Sequence, residues 1–324
     1  MKVLFVSSGR KGGKPSPIIQ AQGNSLISSG LDISFFSINK RGFIGHIKET
    51  FRLRKLTRES SFDIIHAHYG VSAIVALFSK RKAKLLVSFM GDDLIGTNKK
   101  DGSVTRLSLF FVFINKLLAR RIYDYSIVKS QEMNLVLNSK RSVVIPNGVN
   151  LDIFKPMERN ESLSKIEENK NHHLILFVSD PSRSEKNFAL AKKSVDMLND
   201  SNIKLICIHN KEQHTLVDYY NAADALLLTS FHEGSPNVIK EAMACNCPIV
   251  STPVGDVKEL IANVDGCFLT GFDPENVKDQ LLKAIEYRKK KDFTNGREKL
   301  VSMELDSISV AKSISKLYTK LLLK

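Results

Sequence analysis

A chain of 324 residues, 43% hydrophobic and 25% charged, has the composition of an ordinary soluble globular protein with room for two domains. That excludes disordered and membrane-embedded classes: the longest apolar run, 107–119, is shorter than the roughly 20 residues a transmembrane helix needs and contains Asn115 and Lys116. The net charge of +14 is unevenly held, with Lys and Arg outnumbering Asp and Glu by 24 to 9 in residues 1–150 and standing at 24 to 25 in the remainder, so the first half is expected to meet an anionic surface or substrate.

In that half, apolar runs near 2–7, 33–38, 63–67, 84–89, 125–129 and 142–146 alternate with helical patterns near 17–29, 43–59, 71–80, 103–121 and 131–138. Strands separated by helices predict βαβ units and a parallel sheet. The opening MKVLFVSSGRKGG is a short strand running into a glycine loop and lacks the features of a signal peptide, so a cytoplasmic location is expected. In the loop, Gly9, Gly12 and Gly13 either allow close backbone approach to a ligand or form a plain turn. The spacing is not GxGxxG, so no dinucleotide fingerprint is present.

Residues 40–58, KRGFIGHIKETFRLRKLTR, combine seven Lys and Arg with Ile44, Ile47 and Phe51 on one helical face. The pattern fits a helix lying on an anionic membrane surface, peripheral to it, and it fits equally a domain helix whose apolar stripe packs on the sheet. No nucleic-acid-binding module is recognisable. FDIIHAHYG then places His66 and His68 on the same face of a buried strand, His68 at its end, where a side chain can enter a cleft. In VSFMGDDL, Asp92 and Asp93 either face a ligand or cap the next helix. Pro146, Asn147 and Gly148 in SVVIPNGVNLDIFKP break the last strand where the charge balance changes, which places the linker there.

The second half opens with a strand to Ser179, a polar turn and a helix from about Lys186, so Arg183 and Lys186 stand where cations can meet phosphate oxygens. The stretch 222–255 reads as a strand at 225–229, a loop with His232, Glu233 and Gly234, a helix from Pro236 to about Cys245, and a strand at 248–251. Ser235 is the expected N-cap with Pro236 at the first helical position. The free amides of such a helix start favour an anion, and Glu233 and Glu241 flank it. The four cysteines, Cys207, Cys245, Cys247 and Cys267, lack metal-finger spacing and read as small apolar-run residues. From Pro274 onward two or three helices are expected.

The run EGSPNVIKEAMA, with glutamates separated by seven intervening residues and followed by PIVSTPVGDVKELI, resembles the donor-site signature of retaining GT-B glycosyltransferases of family 4 (glycosyl transferases group 1). The resemblance implies two Rossmann-like doubly wound domains facing across a cleft: an acceptor-binding domain over 1–150, a nucleotide-sugar-binding domain over 151–305, and a last helix in 306–324 returning to the first. It implies a sugar moved from a nucleotide-sugar donor, with retention, to a saccharide or lipid-linked acceptor. Glu233 would face the donor sugar and Glu241 the ribose, with Gly234, Ser235, Pro236, Asn237 and Val238 at the helix head. Lys186 and Arg183 would meet the phosphates, and the loop with Gly12 and Gly13 would line the cleft. His68, rather than His66, would stand near sugar and acceptor, and Asp92 or Asp93 on the acceptor side.

The chain departs from the family pattern at Met90, where a histidine is usual, at Ser179 and Asp180, where Gly and Arg are usual, and at Asn150, where Asp is usual. Adjacent Asp92 and Asp93 are not the spaced pair of metal-dependent transferases, so no metal or other cofactor is expected. Two other functions share these residues: a GT-B nucleotide-sugar epimerase, and a non-catalytic nucleotide-binding scaffold whose site has decayed.

Overall fold

The computed structural model of the protein describes residues 1–9, 13–40, 42–97, 103–291 and 293–323. It divides into two compact units, the first built from residues 1–97, 105–148 and 307–324 and the second from 98–104 and 149–306. Both are layered α/β structures around wholly parallel sheets.

In the first unit the elements are β1 (Lys2–Ser8), α1 (Pro17–Ser28), β2 (Asp32–Ile38), α2 (Gly42–Glu59), β3 (Ile64–His68), α3 (Gly70–Leu77), β4 (Lys84–Ser88), α4 (Asp92–Ile95), α5 (Arg106–Arg121), β5 (Tyr125–Val128), α6 (Gln131–Leu137) and β6 (Ser142–Val144). The strand order is β2-β1-β3-β4-β5-β6. Central strands are buried on both faces, so every residue of Ile64 to His68 and of Leu85 to Ser88 is buried, the two histidines included. The step from β1 to β2 runs one way along the sheet and every later step runs the other way. Right-handed crossovers therefore put α1 on one face and α2, α3, α5 and α6 on the other. The cores agree: Leu53, Ala73, Ala119 and Met133 from those four helices share one cluster, while Ile19 and Leu26 of α1 belong to the opposite one.

The expectation that the stripe of α2 could pack on the sheet is corrected here. Ile44, Ile47 and Phe51 are exposed, and the helix buries Leu53, Thr57 and Glu49 instead. Thr57 donates to the Ser79 carbonyl at 2.8 Å, so polar anchoring toward α3 supplements Leu53 in fixing which face turns inward.

The second unit contains α7 (Arg159–Lys165), β7 (His173–Phe177), α8 (Phe188–Asp196), β8 (Ile203–Cys207), α9 (Gln213–Ala222), β9 (Ala225–Leu228), α10 (Asn237–Ala244), β10 (Ile249–Ser251), α11 (Val257–Ile261), β11 (Cys267–Leu269), α12 (Pro274–Lys290) and α13 (Gly296–Ser302). Its sheet has five strands in the order β11-β10-β9-β7-β8. The chain steps from β7 outward to β8, then back past β7 to β9, so the order reverses between β7 and β9. In open parallel sheets that reversal, at the carboxyl edge, is where two loops part and leave a crevice.

The linker is held by its own side chains. Asn150 Oδ1 accepts from the amides of Asp152 at 2.9 Å and Ile153 at 3.3 Å, the turn an Asp would make, so this departure from the family pattern costs nothing structurally. Arg297 donates to the carbonyls of Leu151, Phe154 and Ala244, fastening the segment to α10. The final helix, α14 (Ser307–Leu322), belongs to the first unit and packs beside α1, adding Val310, Ile314, Leu317 and Tyr318 to its core.

Candidate active site

At the reversal point of the second unit, the loop after β7 supplies Arg183 and Lys186, and the loop after β9 supplies Glu233. Lys186 Nζ and Glu233 Oε1 form an ion pair, both side chains largely shielded from solvent, and Ser230 Oγ donates to the same carboxylate oxygen at 2.9 Å. The two loops are stitched together below the pair. Thr229 Oγ1 donates to the carbonyls of Lys186 and Asn187 at 3.0 Å, and the Phe231 amide donates to the Glu185 carbonyl at 2.9 Å. Arg183 is turned aside: its Nε donates to Glu185 Oε1 at 2.6 Å while the side chain stays half exposed. Asp180 takes the Ser182 amide and hydroxyl at 2.9 and 2.7 Å, so this loop is shaped by an Asx turn in place of the family's Gly-Arg.

Helix α10 corrects the expected cap. Its N-cap is Pro236, no side chain caps it, and Ser235 instead donates to Asp256 Oδ2 at 2.6 Å and accepts from Lys240 Nζ at 2.9 Å. Buried Lys240 draws Ser235 away from the helix amides, which leaves the head of α10, Asn237 and Val238, without a side-chain lid. Asn237 Oδ1 is buried without a hydrogen-bond partner. Gly234 and Pro236 are buried at the turn into the helix. Gly255, at φ 57°, lies so close that a Cβ there would sit 2.5 Å from the Gly234 carbonyl oxygen, so only glycine lets the turn 253–256 close on this loop. Glu241, one turn into the helix, is buried and accepts from Tyr220 Oη at 2.8 Å. Burial raises its carboxyl above the usual range, against the opposing pull of Tyr220, Lys240 and Gln213.

At the corresponding edge of the first unit, His66 and His68 of β3 are fully buried and stacked, ring centroids 4.3 Å apart. His66 bonds Tyr318 Oη through Nδ1 and Ser88 Oγ through Nε2, both at 2.7 Å. His68 Nε2 is buried with no hydrogen-bond partner. Burial, helped by the nearby Lys129 charge, lowers His68 to about 3, so it is neutral. Asp93 is a structural clamp: Oδ1 accepts from the Met90 and Gly91 amides and Oδ2 from the Gly70 amide, at 2.9 to 3.0 Å. Desolvation nonetheless pushes its carboxyl up to about 6. Of the adjacent pair, Asp92 is the one whose side chain is partly exposed. Gly13 lies beside the Asn39 side chain at the end of β2, and Gly12 lies outside the described residues. Among the described residues, no cluster of three or more His, Cys, Asp or Glu is arranged to hold a metal.

Residues 18–125 match the family described as glycosyl transferase 4-like, and residues 161–287 match glycosyl transferases group 1. Each half of the chain thus matches a glycosyltransferase family model. In sequence, the chain is 22% identical over 283 residues to a D-inositol 3-phosphate glycosyltransferase of Streptosporangium roseum, covering 72% of this chain and 63% of that one. The match thus spans less than two thirds of that relative's length. In structure it is similar to sucrose-phosphate synthase from Thermosynechococcus elongatus (TM-score 0.77, 16% identity, all of both chains). It is also similar to Anabaena Alr3699/HepE in complex with UDP-glucose (TM-score 0.76, 17% identity, 99% of this chain and 100% of that one). These similarities establish the GT-B fold, two parallel-sheet Rossmann-like domains.

Within the matched region 161–287, the sequence alone does not point to Lys240, Asp256 and Tyr220. Burial lowers the Lys240 ammonium to about 8, with Asp256 and Glu241 opposing the shift. A lysine beside a glutamate on a helix reads as solvated. The signal that could have found it is the pair of apolar strands on either side, 225–228 and 249–251, which mark α10 as an interior helix that buries Ile239 to Ala244.

Proposed function

We propose that the protein transfers a sugar from a nucleotide-diphosphate donor to a saccharide or lipid-linked acceptor, with retention, in polysaccharide or glycolipid synthesis. The observation that carries this reading is the Lys186–Glu233 pair beside the uncapped head of α10, at the sheet reversal of the second unit. A lysine held by a carboxylate can exchange that partner for a phosphate, and the carboxylate so released can take sugar hydroxyls. Breaking the sugar–phosphate bond leaves a diphosphate whose growing charge Lys186 and the amides of Asn237 and Val238 would stabilise, which lowers the barrier because the charge is largest at the transition state.

Glu233 would orient the sugar and Glu241 the ribose, its second oxygen partner being Tyr220. Arg183 would contribute less, being engaged with Glu185. On the first unit, neutral His68 would serve as a hydrogen-bonding group near sugar and acceptor, Asp92 would face the acceptor, and the loop carrying Gly12 and Gly13 would border the donor phosphates. The departing phosphate would take the acceptor proton, so no side-chain nucleophile and no metal are assigned. The bound UDP-glucose of the HepE relative supports a nucleotide-sugar donor of this kind. The exposed apolar and basic face of α2 supports contact with an anionic membrane surface through residues 40–58.

The test is a panel of nucleotide sugars incubated with and without a saccharide or lipid-linked acceptor, with product anomers read by proton NMR. A product that keeps the donor's anomeric configuration is expected only when acceptor is present. Epimerised donor without acceptor, or nucleotide binding without turnover anywhere in the panel, would overturn the reading.

A further inference from the structure

Helix α5 wears its large apolar side chains on the outside. Its buried positions are Val112, Asn115 and Ala119, whereas Leu107, Phe110, Phe113 and Leu117 are 69%, 58%, 63% and 41% exposed. At 3.6 residues per turn, Phe110, Phe113 and Leu117 share one stripe, with Arg106 at its head and Arg120 and Arg121 at its foot. The helix contains no acidic residue. Asn115 fixes this inverted orientation, because its Nδ2 donates to the Asp93 carbonyl at 2.8 Å from the buried side.

The same layer of the first unit carries α2, where Phe43 and Phe51 are 83% and 66% exposed among Lys48, Arg54, Lys55 and Arg58. Both helices pack on one core from the same side of the sheet, with α3 in the series between them. Between α2 and α5, the turn before β4 adds exposed Arg81 and Lys82. Single exposed apolar residues need no account, but two helices of one layer presenting aromatic stripes bordered by cations do.

We infer that the outer face of this layer docks on an anionic phospholipid surface, with the α5 stripe inserted below the headgroups and the cations of α2 and α5 on the lipid phosphates. The charge decides the occupant. A second copy of the chain would set these cations against their own kind, and a neutral apolar groove would leave them without counter-charge. An anionic bilayer offers hydrocarbon to the stripe and phosphate to its rim, with the long Arg and Lys stems bridging the two depths. The inference deepens the lipid-linked acceptor reading and takes its purpose from it, since an enzyme already on the surface meets such an acceptor in two dimensions.

The experiment is sedimentation of the full chain with phosphatidylcholine vesicles, with and without phosphatidylglycerol, in the absence of nucleotide. Binding is expected to require the anionic lipid and to fall by about a hundred-fold when Phe110→Ser, Phe113→Ser and Leu117→Ser are combined, given the apolar area removed from the interface. The chain has no tryptophan, so Phe113→Trp gives a single reporter whose emission should shift to the blue on anionic vesicles. Unchanged binding of the triple variant, or a reporter emission that stays at its value in water, overturns the inference. So does a wild-type dimer that the triple variant dissociates, which would assign the face to a second copy. No donor or acceptor enters this measurement, so its failure leaves the glycosyl-transfer reading standing, and a failed transfer assay leaves the vesicle result standing.

Discussion

The carboxyl edges of the two sheets solve the placement of polar side chains in opposite ways. In the second unit they are charged and matched: Lys186 with Glu233, Arg183 with Glu185, and Lys240 with Ser235 and, through it, Asp256. In the first the two histidines are neutral and locked, His66 between Tyr318 and Ser88 with His68 stacked upon it, and Asp93 is held by three backbone amides. Ion pairs that keep some solvent access can change partners when a charged ligand arrives, whereas a neutral buried network holds its shape and refuses a proton. The difference fits a division of labour in which one unit grips an anionic donor and the other presents a rigid wall to an uncharged hydroxyl.

The sharpest way to break that comparison is at Lys186. Lys186→Ala should lower kcat/KM for the donor by about 10²- to 10³-fold, the usual effect of removing one group that stabilises developing charge, without moving the thermal midpoint by more than a few degrees. Near-normal turnover would mean that the pair is only structural. Glu241→Ala should come next, weakening nucleotide binding by about 10- to 100-fold in calorimetry, because Tyr220 is left with an unsatisfied buried hydroxyl as well as the ligand losing a partner. Equal affinity in the variant would move the ribose elsewhere.

Acid sharpens the contrast from the other side. His68, at about 3 in the folded chain against 6.5, stays unprotonated while the unfolded chain takes up a proton, so its contribution is intact above pH 6.5 and is lost as pH falls toward 3. Between pH 7 and 5 this one group should remove about 2 kcal/mol. His66 acts in the same direction. Asp93, whose folded-state carboxyl is pushed up to about 6, gains its proton first when folded and so offsets about 1 kcal/mol of that loss. Urea midpoints across this range should fall with pH, and His68→Phe should flatten the slope. An unaltered slope in the variant would show that His68 is not held neutral. The smallest effect is expected at Arg183: Arg183→Ala should change kcat/KM by less than about five-fold, since a half-exposed cation already paired with a neighbour adds little.

Most of the architecture is legible because the alternation of apolar runs and 3.6-residue patterns is strong enough to give, in order, every strand of the first unit and its helices up to β6, except the single-turn α4. In the second unit β11 (Cys267–Leu269) is only three residues long, too short for alternation to mark it. What could not be read depended on contacts distant in sequence or on direction. Periodicity shows that Ile44, Ile47 and Phe51 share a face but not whether that face looks inward. Ser235 has the chemistry of a cap, yet Lys240 and Asp256 compete for its hydroxyl, and neither is marked by local pattern as a buried partner. The two histidines of β3 differ by their distant partners: Tyr318, 252 residues away, and Ser88 take up His66, while His68 Nε2 is left without one. At the candidate site, strand–loop–helix order was enough to bring Lys186 and Glu233 to one edge, but not to foresee Asp93 being taken up by three amides.

Helix α14 bears on how the protein is made. The first unit draws Val310, Ile314, Leu317 and Tyr318 from residues translated after the whole of the second unit, so during synthesis one face of its sheet is covered by α1 alone while residues 149–306 emerge from the ribosome. The second unit, whose five strands all lie within residues 149–306, can finish first. The nascent first half, basic and open along a greasy seam, would need shelter in that interval, and its last stitch is the bond between Tyr318 and His66.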